Sequence, residues 1–153
     1  MKTTVIVQAR MTSTRLPRKV FLPLADKPVL WHVWKRLQAS EKIEQIVIAT
    51  STDVSDDPIV EFCESNEILC FRGSLHDVLA RFHGAAAQFD ADPIVRVTSD
   101  CPVVDPTIVD EVIQGYFEGD FHSYILAGEF PDGLDCSVFS RELLDKAFLE
   151  AEL

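Results

Sequence analysis

Short apolar runs alternate along this chain with longer segments in which apolar residues recur at helical spacing. Five runs have the length and the β-branched or aromatic content of buried strands, and they lie at residues 5–7, 46–50, 68–71, 93–100 and 123–127. Between and after them, the spacing predicts helices at 29–37, from 56 to 66, at 75–89, at 106–117 and from 140 onward. This alternation predicts an α/β fold, a three-layer sandwich in which helices cover both faces of a mostly parallel sheet.

The segment after the first predicted strand is strongly cationic. It contains four basic residues, Arg10, Arg15, Arg18 and Lys19, and no acidic residue precedes Asp26. Since the whole chain has a net charge of −11, this local charge favours a small anionic ligand over a nucleic acid. Phosphate is the leading candidate, because arginine binds its oxygens through paired hydrogen bonds and lysine adds a compact charge. A solvated loop with scattered surface charges is the alternative.

Composition narrows the class of protein further. The chain has 153 residues, enough for one ordinary core, so we expect one domain. No apolar run approaches the roughly 20 residues that span a bilayer, and the charged loop comes too early for a secretory signal, so we expect a cytoplasmic protein without membrane contact. The four cysteines form no C-x-x-C pair, which argues for reduced thiols rather than a zinc site or disulfides.

Glycine-based phosphate motifs are missing, because residues 1–72 contain no glycine. A phosphate site here would therefore depend on the side chains of Arg10, Arg15 and Lys19. Parallel sheets bind ligands at the carboxyl ends of their strands, and Arg10, Ser51, Arg72 and Asp100 all follow predicted strands. We expect these four residues to share one edge of the sheet.

Two acidic segments have both a functional and a structural interpretation. Asp100 lies at the C-terminal end of the fourth predicted strand, where it could hold Mg²⁺ beside substrate phosphates or simply form a turn. Asp132, Gly133 and Asp135 lie in one loop, which could contact sugar hydroxyls or the metal, or could be an ordinary Pro-Asp-Gly turn. Asp105, before Pro106, is interpreted mainly as a helix N-cap.

Four stretches, in order along the chain, together resemble a known family. They are V-I-V-Q-A-R-M-T-S-T-R-L-P-R-K-V, F-R-G-S-L-H-D-V-L-A-R-F, R-V-T-S-D-C-P-V-V-D-P and F-P-D-G-L-D-C-S-V-F-S. The chain resembles the cytidylyltransferases of acidic sugars, and most closely the spore-coat polysaccharide biosynthesis protein F type. This type is related to CMP-ketodeoxyoctonate synthetase and acylneuraminate cytidylyltransferase. The resemblance implies a nucleotide-diphospho-sugar transferase (Rossmann-like) fold and Mg²⁺-dependent transfer of CMP from CTP to a sugar, with release of pyrophosphate, in bacterial surface or spore-coat polysaccharide biosynthesis.

The resemblance also implies roles for particular residues. Arg10, Arg15 and Lys19 would hold the triphosphate, and Asp100 would hold the catalytic Mg²⁺. Six further residues would flank the nucleotide: Gln8, Ala9, Arg72, Gly73, Ser74 and Asp77. The acceptor sugar would face Asp132, Gly133 and Asp135.

The sequence departs from the family pattern in three ways. Arg18 stands where relatives usually have the glycine of L-P-G-K, and Ser137 stands where they usually have glutamate. Relatives also continue further, so we expect the fold to lack its C-terminal part, which in the family supplies homodimer contacts and a later aspartate of the metal site.

Two other functions remain open from the sequence. One is a non-catalytic nucleotide-binding module. The other is a glycosyltransferase that uses a nucleotide-sugar donor, although such enzymes usually carry an Asp-x-Asp pair and here Asp100 is followed by Cys101 and Pro102.

Overall fold

The computed structural model describes residues 1–119, 123–125, 131 and 133–151. Within these residues, the chain forms eight strands: β1 (Lys2–Gln8), β2 (Pro23–Leu24), β3 (Lys27–Pro28), β4 (Gln45–Ser51), β5 (Leu69–Gly73), β6 (Ala91–Thr98), β7 (Ser123–Ile125) and β8 (Ser137–Phe139). It also forms five α-helices: α1 (Val29–Leu37), α2 (Asp57–Ser65), α3 (Val78–Gln88), α4 (Pro106–Glu118) and α5 (Arg141–Glu150). No helix among the described residues is long and apolar enough to cross a membrane.

Six strands form one sheet in the order β5-β4-β1-β6-β8-β7, which confirms the predicted, mostly parallel architecture. The first four strands are parallel neighbours, whereas β8 runs antiparallel to both β6 and β7. The strands β2 and β3 pair separately as a short antiparallel hairpin between the cationic loop and α1. The carboxyl ends of β1, β4, β5 and β6 therefore meet at one edge of the sheet.

Alternating side chains of the strands enter two apolar clusters, one on each face of the sheet. Val5 and Val95 pack on one face against apolar side chains of α1, α2 and α4. Ile6 and Ile94 pack on the other face against Phe82 and its neighbours in α3 and against α5. Three layers result. The helices α3 and α5 do not cover the carboxyl ends of β1 and β6, where Gln8 and Arg96 are only partly buried or exposed.

Some predicted boundaries are wrong. Arg72 and Gly73, predicted as loop, belong to β5, and the helix predicted from residue 75 begins at Val78 because the Asp77 side chain caps it. The predicted last strand, 123–127, is β7 as far as residue 125, and 126–127 lie outside the described residues. The strand β8 was not predicted, since three residues after a turn-rich loop give too short a pattern to recognise.

Candidate functional site

A cavity of about 300 Å³ lies where β1 and β6 end side by side, with Gln8 paired to Thr98 in parallel register. The loop of residues 9–22 forms one wall, and the segment after β6 forms the opposite wall. The charged side chains that line this cavity are Arg10, Arg15, Lys19, Arg96 and Asp100, and the hydroxyl side chains are those of Ser13, Thr14, Thr98 and Ser99. The structure thus brings together the four residues predicted to hold a triphosphate and a metal; what they bind stays a prediction.

A salt bridge joins the two walls of this cavity. Lys19 Nζ donates to Asp100 Oδ2 at 2.8 Å, and the two side chains are 33% and 43% exposed. The hydrogen bond from Lys19 holds the pKa of Asp100 below its ordinary value of 3.8, although partial burial opposes this shift, and the nearby Thr98 hydroxyl lowers the pKa further. Asp100 is therefore an ionised carboxylate at neutral pH, held beside a cationic loop.

Arg18 adopts a backbone conformation that favours glycine, with φ of 59° and ψ of 22°. This geometry is compatible with the glycine that the family resemblance implies at this position. Arg18 lines a cavity of about 550 Å³ between the loop and Pro58 at the start of α2, and it does not line the cavity of about 300 Å³ that contains Lys19 and Asp100.

A buried carboxylate ties the cationic loop to the sheet. Asp56 is fully buried and accepts hydrogen bonds from the backbone N–H groups of Met11 (2.6 Å) and Ser51 (3.2 Å), and from the Ser51 hydroxyl. The loop is also closed on itself, because Arg18 N–H donates to the Met11 carbonyl at 2.9 Å. From the sequence, Asp56 was only an acidic residue at the start of a helix, and no local signal distinguishes that role from this one.

Arg72, in β5, binds the segment that follows β4 at the same carboxyl-end edge of the sheet. Its Nε donates to the Ser51 carbonyl at 2.8 Å, and its Nη2 donates to the Asp53 carbonyl at 2.9 Å and pairs with Asp57 at 2.8 Å. Two of its three guanidinium nitrogens, Nε and Nη2, thus bind the protein itself.

The other residues predicted to flank a nucleotide also have structural roles. A Cβ on Gly73 would lie 2.8 Å from a ring atom of Phe71 and 3.2 Å from Arg81 Cγ, so only glycine allows α3 to pack this close to β5. The Ser74 hydroxyl accepts from Asp77 N–H at 3.0 Å, and Asp77 in turn accepts from Ala80 N–H at 2.8 Å. These contacts fix the loop before α3 at the end of β5.

Arg81 is a buried cation that the sequence did not reveal. Its side chain is fully buried, and its Nη1 donates to the carbonyls of Ser74 (2.5 Å) and Leu75 (3.4 Å), whereas Nε and Nη2 have no partner among the described residues. Burial lowers the pKa of this guanidinium, the charge of Arg10 lowers it further, and nearby carboxylates oppose the shift. An arginine in an amphipathic helix is ordinarily exposed, which is why its spacing gave no signal.

A third cavity, of about 270 Å³, adjoins the cavity that contains Lys19 and Asp100 on its β8 side. It is lined by Arg96, Thr98, Asp135, Cys136 and Ser137, and Arg96 and Thr98 line both cavities. The exposed Asp135, predicted to face a sugar, therefore lies at this smaller cavity.

The two other predicted residues of this acidic loop are Asp132 and Gly133. Gly133 has φ of 96°, a conformation that glycine adopts readily, and Asp132 lies outside the described residues. No group of three or more metal-ligating side chains occurs in the described part of the chain. Asp105 caps α4 by accepting from Thr107 N–H at 2.9 Å, which confirms that prediction.

The sequence as a whole matches a family model described as cytidylyltransferase, over residues 4–148. The chain belongs to the cytidylyltransferase family. This confirms the resemblance inferred from the four motifs. Three of these motifs contribute residues to the cavities of about 300 and 270 Å³.

Individual relatives agree with this assignment. The spore coat polysaccharide biosynthesis protein SpsF of Bacillus subtilis (strain 168) is 38% identical over 144 residues, which cover 91% of this chain and 59% of that protein. The solved structure of a cytidylyltransferase from Leptospira borgpetersenii serovar Hardjo-bovis (strain JB197) matches with a TM-score of 0.93 and 34% identity, over 100% of this chain and 66% of that one. The curated relatives matched first are longer than this cytidylyltransferase chain, which spans 62% and 59% of their lengths.

A more distant structure shares the fold alone. The structure of CMP:2-keto-3-deoxy-manno-octonic acid synthetase complexed with CTP has a TM-score of 0.79 and 15% identity, over 100% of this cytidylyltransferase chain and 80% of that one. Fold is therefore retained in this group at low sequence identity.

Proposed function

We propose that this chain is the nucleotide-binding part of a Mg²⁺-dependent enzyme that transfers CMP from CTP to an acidic sugar in the cytoplasm. The reaction releases pyrophosphate and serves bacterial surface or spore-coat polysaccharide biosynthesis. The observation that carries this proposal is the cavity in which Arg10, Arg15 and Lys19 face Asp100, with Lys19 and Asp100 in contact at 2.8 Å. Relatives named for spore-coat polysaccharide synthesis and for a CTP complex support it.

The cationic loop has the chemistry to hold a triphosphate. Arg10 and Arg15 offer guanidinium forks, Lys19 offers an ammonium group, and hydroxyls of the same loop add neutral donors. Asp56 fixes the start of this loop to the end of β4 before any ligand arrives. A fixed set of donors stabilises developing charge without first reorganising. On binding, Lys19 would exchange Asp100 for a phosphate oxygen.

Asp100 fits the role of a carboxylate that shares a metal with the substrate. Magnesium takes one or two carboxylates together with substrate phosphates and keeps several waters, and Asp100 is the one carboxylate among the described residues that line the cavity of about 300 Å³. When bound, the ion supplies positive charge beside the phosphates that react and leave. Rv0371c of Mycobacterium tuberculosis, which shares the fold at 19% identity and a TM-score of 0.69, was solved as a complex with manganese.

The transfer needs no nucleophile from the protein. A hydroxyl oxygen of the sugar attacks the α-phosphorus, the bond from that phosphorus to the bridging oxygen breaks, and pyrophosphate leaves with the electron pair. The hydroxyl proton passes to solvent. The chain's own contribution is to align the reactants and to neutralise charge with Arg10, Arg15 and Lys19.

Pyrophosphate release is the decisive measurement. The protein is incubated with CTP, Mg²⁺ and a panel of sugar acids that includes 3-deoxy-manno-octulosonate, and thermal unfolding is followed in parallel with CTP alone. We expect release with at least one acid and a raised unfolding temperature with CTP, because a ligand that binds only the folded state stabilises it. Stabilisation by CTP without release would indicate a binding module. Turnover of a nucleotide-sugar donor would indicate a glycosyltransferase.

A further inference from the structure

Arg96 occupies an unusual position for a charged side chain, in the middle of the sheet. Its strand, β6, pairs with β1 on one side and β8 on the other, and Arg96 is opposite Ile6 and Ser137. Ile94, two residues earlier on the same face, is fully buried under α3 and α5. These helices do not cover Arg96, which is exposed. Its guanidinium lies at the floor of the cleft formed by the cavities of about 300 and 270 Å³.

This floor is shared by the two cavities. Arg96 and Thr98 line both the cavity of about 300 Å³ that contains Lys19 and Asp100 and the cavity of about 270 Å³ that contains Asp135 and Ser137. A ligand in the smaller cavity would therefore lie beside a phosphate held by the loop. An acceptor placed there would lie next to the phosphates that the loop is proposed to hold.

The charge on Arg96 is not used by the described part of the protein. Lys19 is paired with Asp100, and Arg72 with Asp57 and two carbonyls, whereas the Arg96 guanidinium makes no hydrogen bond or ion pair with any described residue. A guanidinium offers five N–H donors in a planar fork that matches a carboxylate. The Ser137 hydroxyl, directly across the strand pair, adds a neutral donor on the same face.

We propose that Arg96 is the specificity-determining residue for the acceptor, and that it binds the acceptor's carboxylate at the junction of the two cavities. This inference rests on the proposed function, because it assumes that the triphosphate occupies the cationic loop. It assigns the two halves of the cleft different anions: a phosphate chain on the β1 side and a carboxylate on the β6–β8 side.

The experiment compares each sugar acid with its neutral amide on the wild type and on Arg96→Gln. Binding is measured by calorimetric titration onto protein saturated with CTP in the absence of metal, and kcat/KM is measured by pyrophosphate release with Mg²⁺. We expect Arg96→Gln to weaken binding of the acid, and to lower its kcat/KM, by about 10- to 100-fold, because a charge-assisted bidentate contact is lost. Binding of the amide and of CTP should change by less than about twofold.

Two further variants separate charge from geometry. Arg96→Lys keeps the charge but lacks the fork, so it should recover only part of the preference for the acid. Lys2→Gln removes one positive charge at the opposite end of β1, where the side chain is exposed, and should behave as the wild type.

The outcomes distinguish this inference from the proposed function. Preference for the acid that is lost in Arg96→Gln supports the role of Arg96 even if no pyrophosphate is released, a result that would count against the proposed function alone. Equal binding of acid and amide by the wild type, or no binding of any acid in the panel, overturns the inference. Weakened binding of CTP itself by Arg96→Gln also overturns it, because Arg96 would then be a phosphate ligand.

Discussion

The two flanks of the cleft differ in how firmly the protein holds them. On the β1–β4–β5 flank, Asp56, Arg72 and Arg81 all bind backbone groups of the loops that they support. On the β6–β8 flank, Arg96 and Asp135 are exposed, and their side chains make no hydrogen bond within the described residues. If the proposed function holds, the phosphate side would be organised before a ligand binds, whereas the acceptor side would take its final arrangement from the ligand.

The largest expected effect on stability comes from removing the Asp56 carboxylate, which anchors the loop on the β1–β4–β5 flank. Asp56→Ala leaves three buried donors without an acceptor: the Met11 and Ser51 N–H groups and the Ser51 hydroxyl. We expect the free energy of unfolding to fall by about 3 to 5 kcal/mol, because each buried donor left unpaired costs about 1 to 3 kcal/mol and partial relaxation recovers some of this. Urea denaturation followed by circular dichroism measures it.

The adjacent residue provides a matched control. Asp57 is also acidic, but its side chain is 46% exposed and pairs with Arg72 at the surface. Asp57→Ala should therefore cost less than about 1 kcal/mol. Equal losses for the two variants would mean that Asp56 does not anchor the loop, and the contrast between a firm and an adaptable flank would fail.

Lys19 tests the contact that joins the two flanks. In Lys19→Ala, the loop loses a cation and Asp100 loses its partner, so the carboxylate would face the triphosphate uncompensated. We expect the Kd for CTP to rise about 10- to 100-fold. Lys146→Ala, which removes an exposed charge from α5, is the control and should leave the Kd unchanged. Unaltered CTP binding by Lys19→Ala would remove this residue from the phosphate site.

A variant of Asp100 tests whether a single carboxylate of the protein binds the metal. We expect Mg²⁺ to increase the thermal stability of the wild type in the presence of CTP, and Asp100→Asn to abolish this gain while the protein remains folded. Calorimetric scans with CTP, with and without Mg²⁺, measure this gain. A gain that persists in Asp100→Asn would show that the metal is held elsewhere.

The pKa of Asp100 gives the same site a pH dependence. In the ligand-free protein, Lys19 holds this pKa below 3.8, so the contact between Lys19 and Asp100 stabilises the fold above about pH 3.8, and this contribution is lost as the pH falls through the lowered pKa. Lys19→Ala lacks this contribution, so the difference in unfolding temperature between the two ligand-free proteins should shrink as the pH falls through that range. Thermal scans without ligand at a series of pH values compare the two proteins.

Most of the fold was predictable because its parallel strands are continuous apolar runs and its helices have one apolar face. The strands β1 and β4 and the helices α1 and α4 lie where periodicity placed them, whereas β6 ends at Thr98, two residues before the predicted end. The strand β8 was not predicted, because it is defined by its pairing with β6 and not by any pattern in its three residues. Tertiary pairing of this kind has no local signature.

The site was predictable as far as charge and strand ends reveal it. Arg10, Lys19 and Asp100 follow strands that are neighbours in the sheet, so their convergence followed from topology. Arg96 was missed because it lies within a strand, where a single charged residue suggests only an exposed edge or face. Asp56 was missed because its function depends on Met11, 45 residues away along the chain.

The smallest expected effect concerns the backbone of the firm flank. Arg18 has φ of 59°, whereas Leu22, at the other end of the same short turn, has φ of −61°. Arg18→Gly should stabilise the protein by about 0.5 to 1 kcal/mol, because relief of left-handed strain of about 1 to 2 kcal/mol exceeds the entropy cost of glycine. Leu22→Gly gains no such relief and should destabilise it.

Nucleotide binding by the same variant then separates conformation from side-chain chemistry. The Arg18 side chain lines the cavity of about 550 Å³ rather than the one that contains Lys19 and Asp100, so Arg18→Gly should leave the Kd for CTP within about twofold of the wild type. Urea denaturation and calorimetric titration of the two variants measure both quantities. A large rise in Kd would place the Arg18 guanidinium on the phosphates, and the loop of this chain would then bind its ligand with a fourth cation.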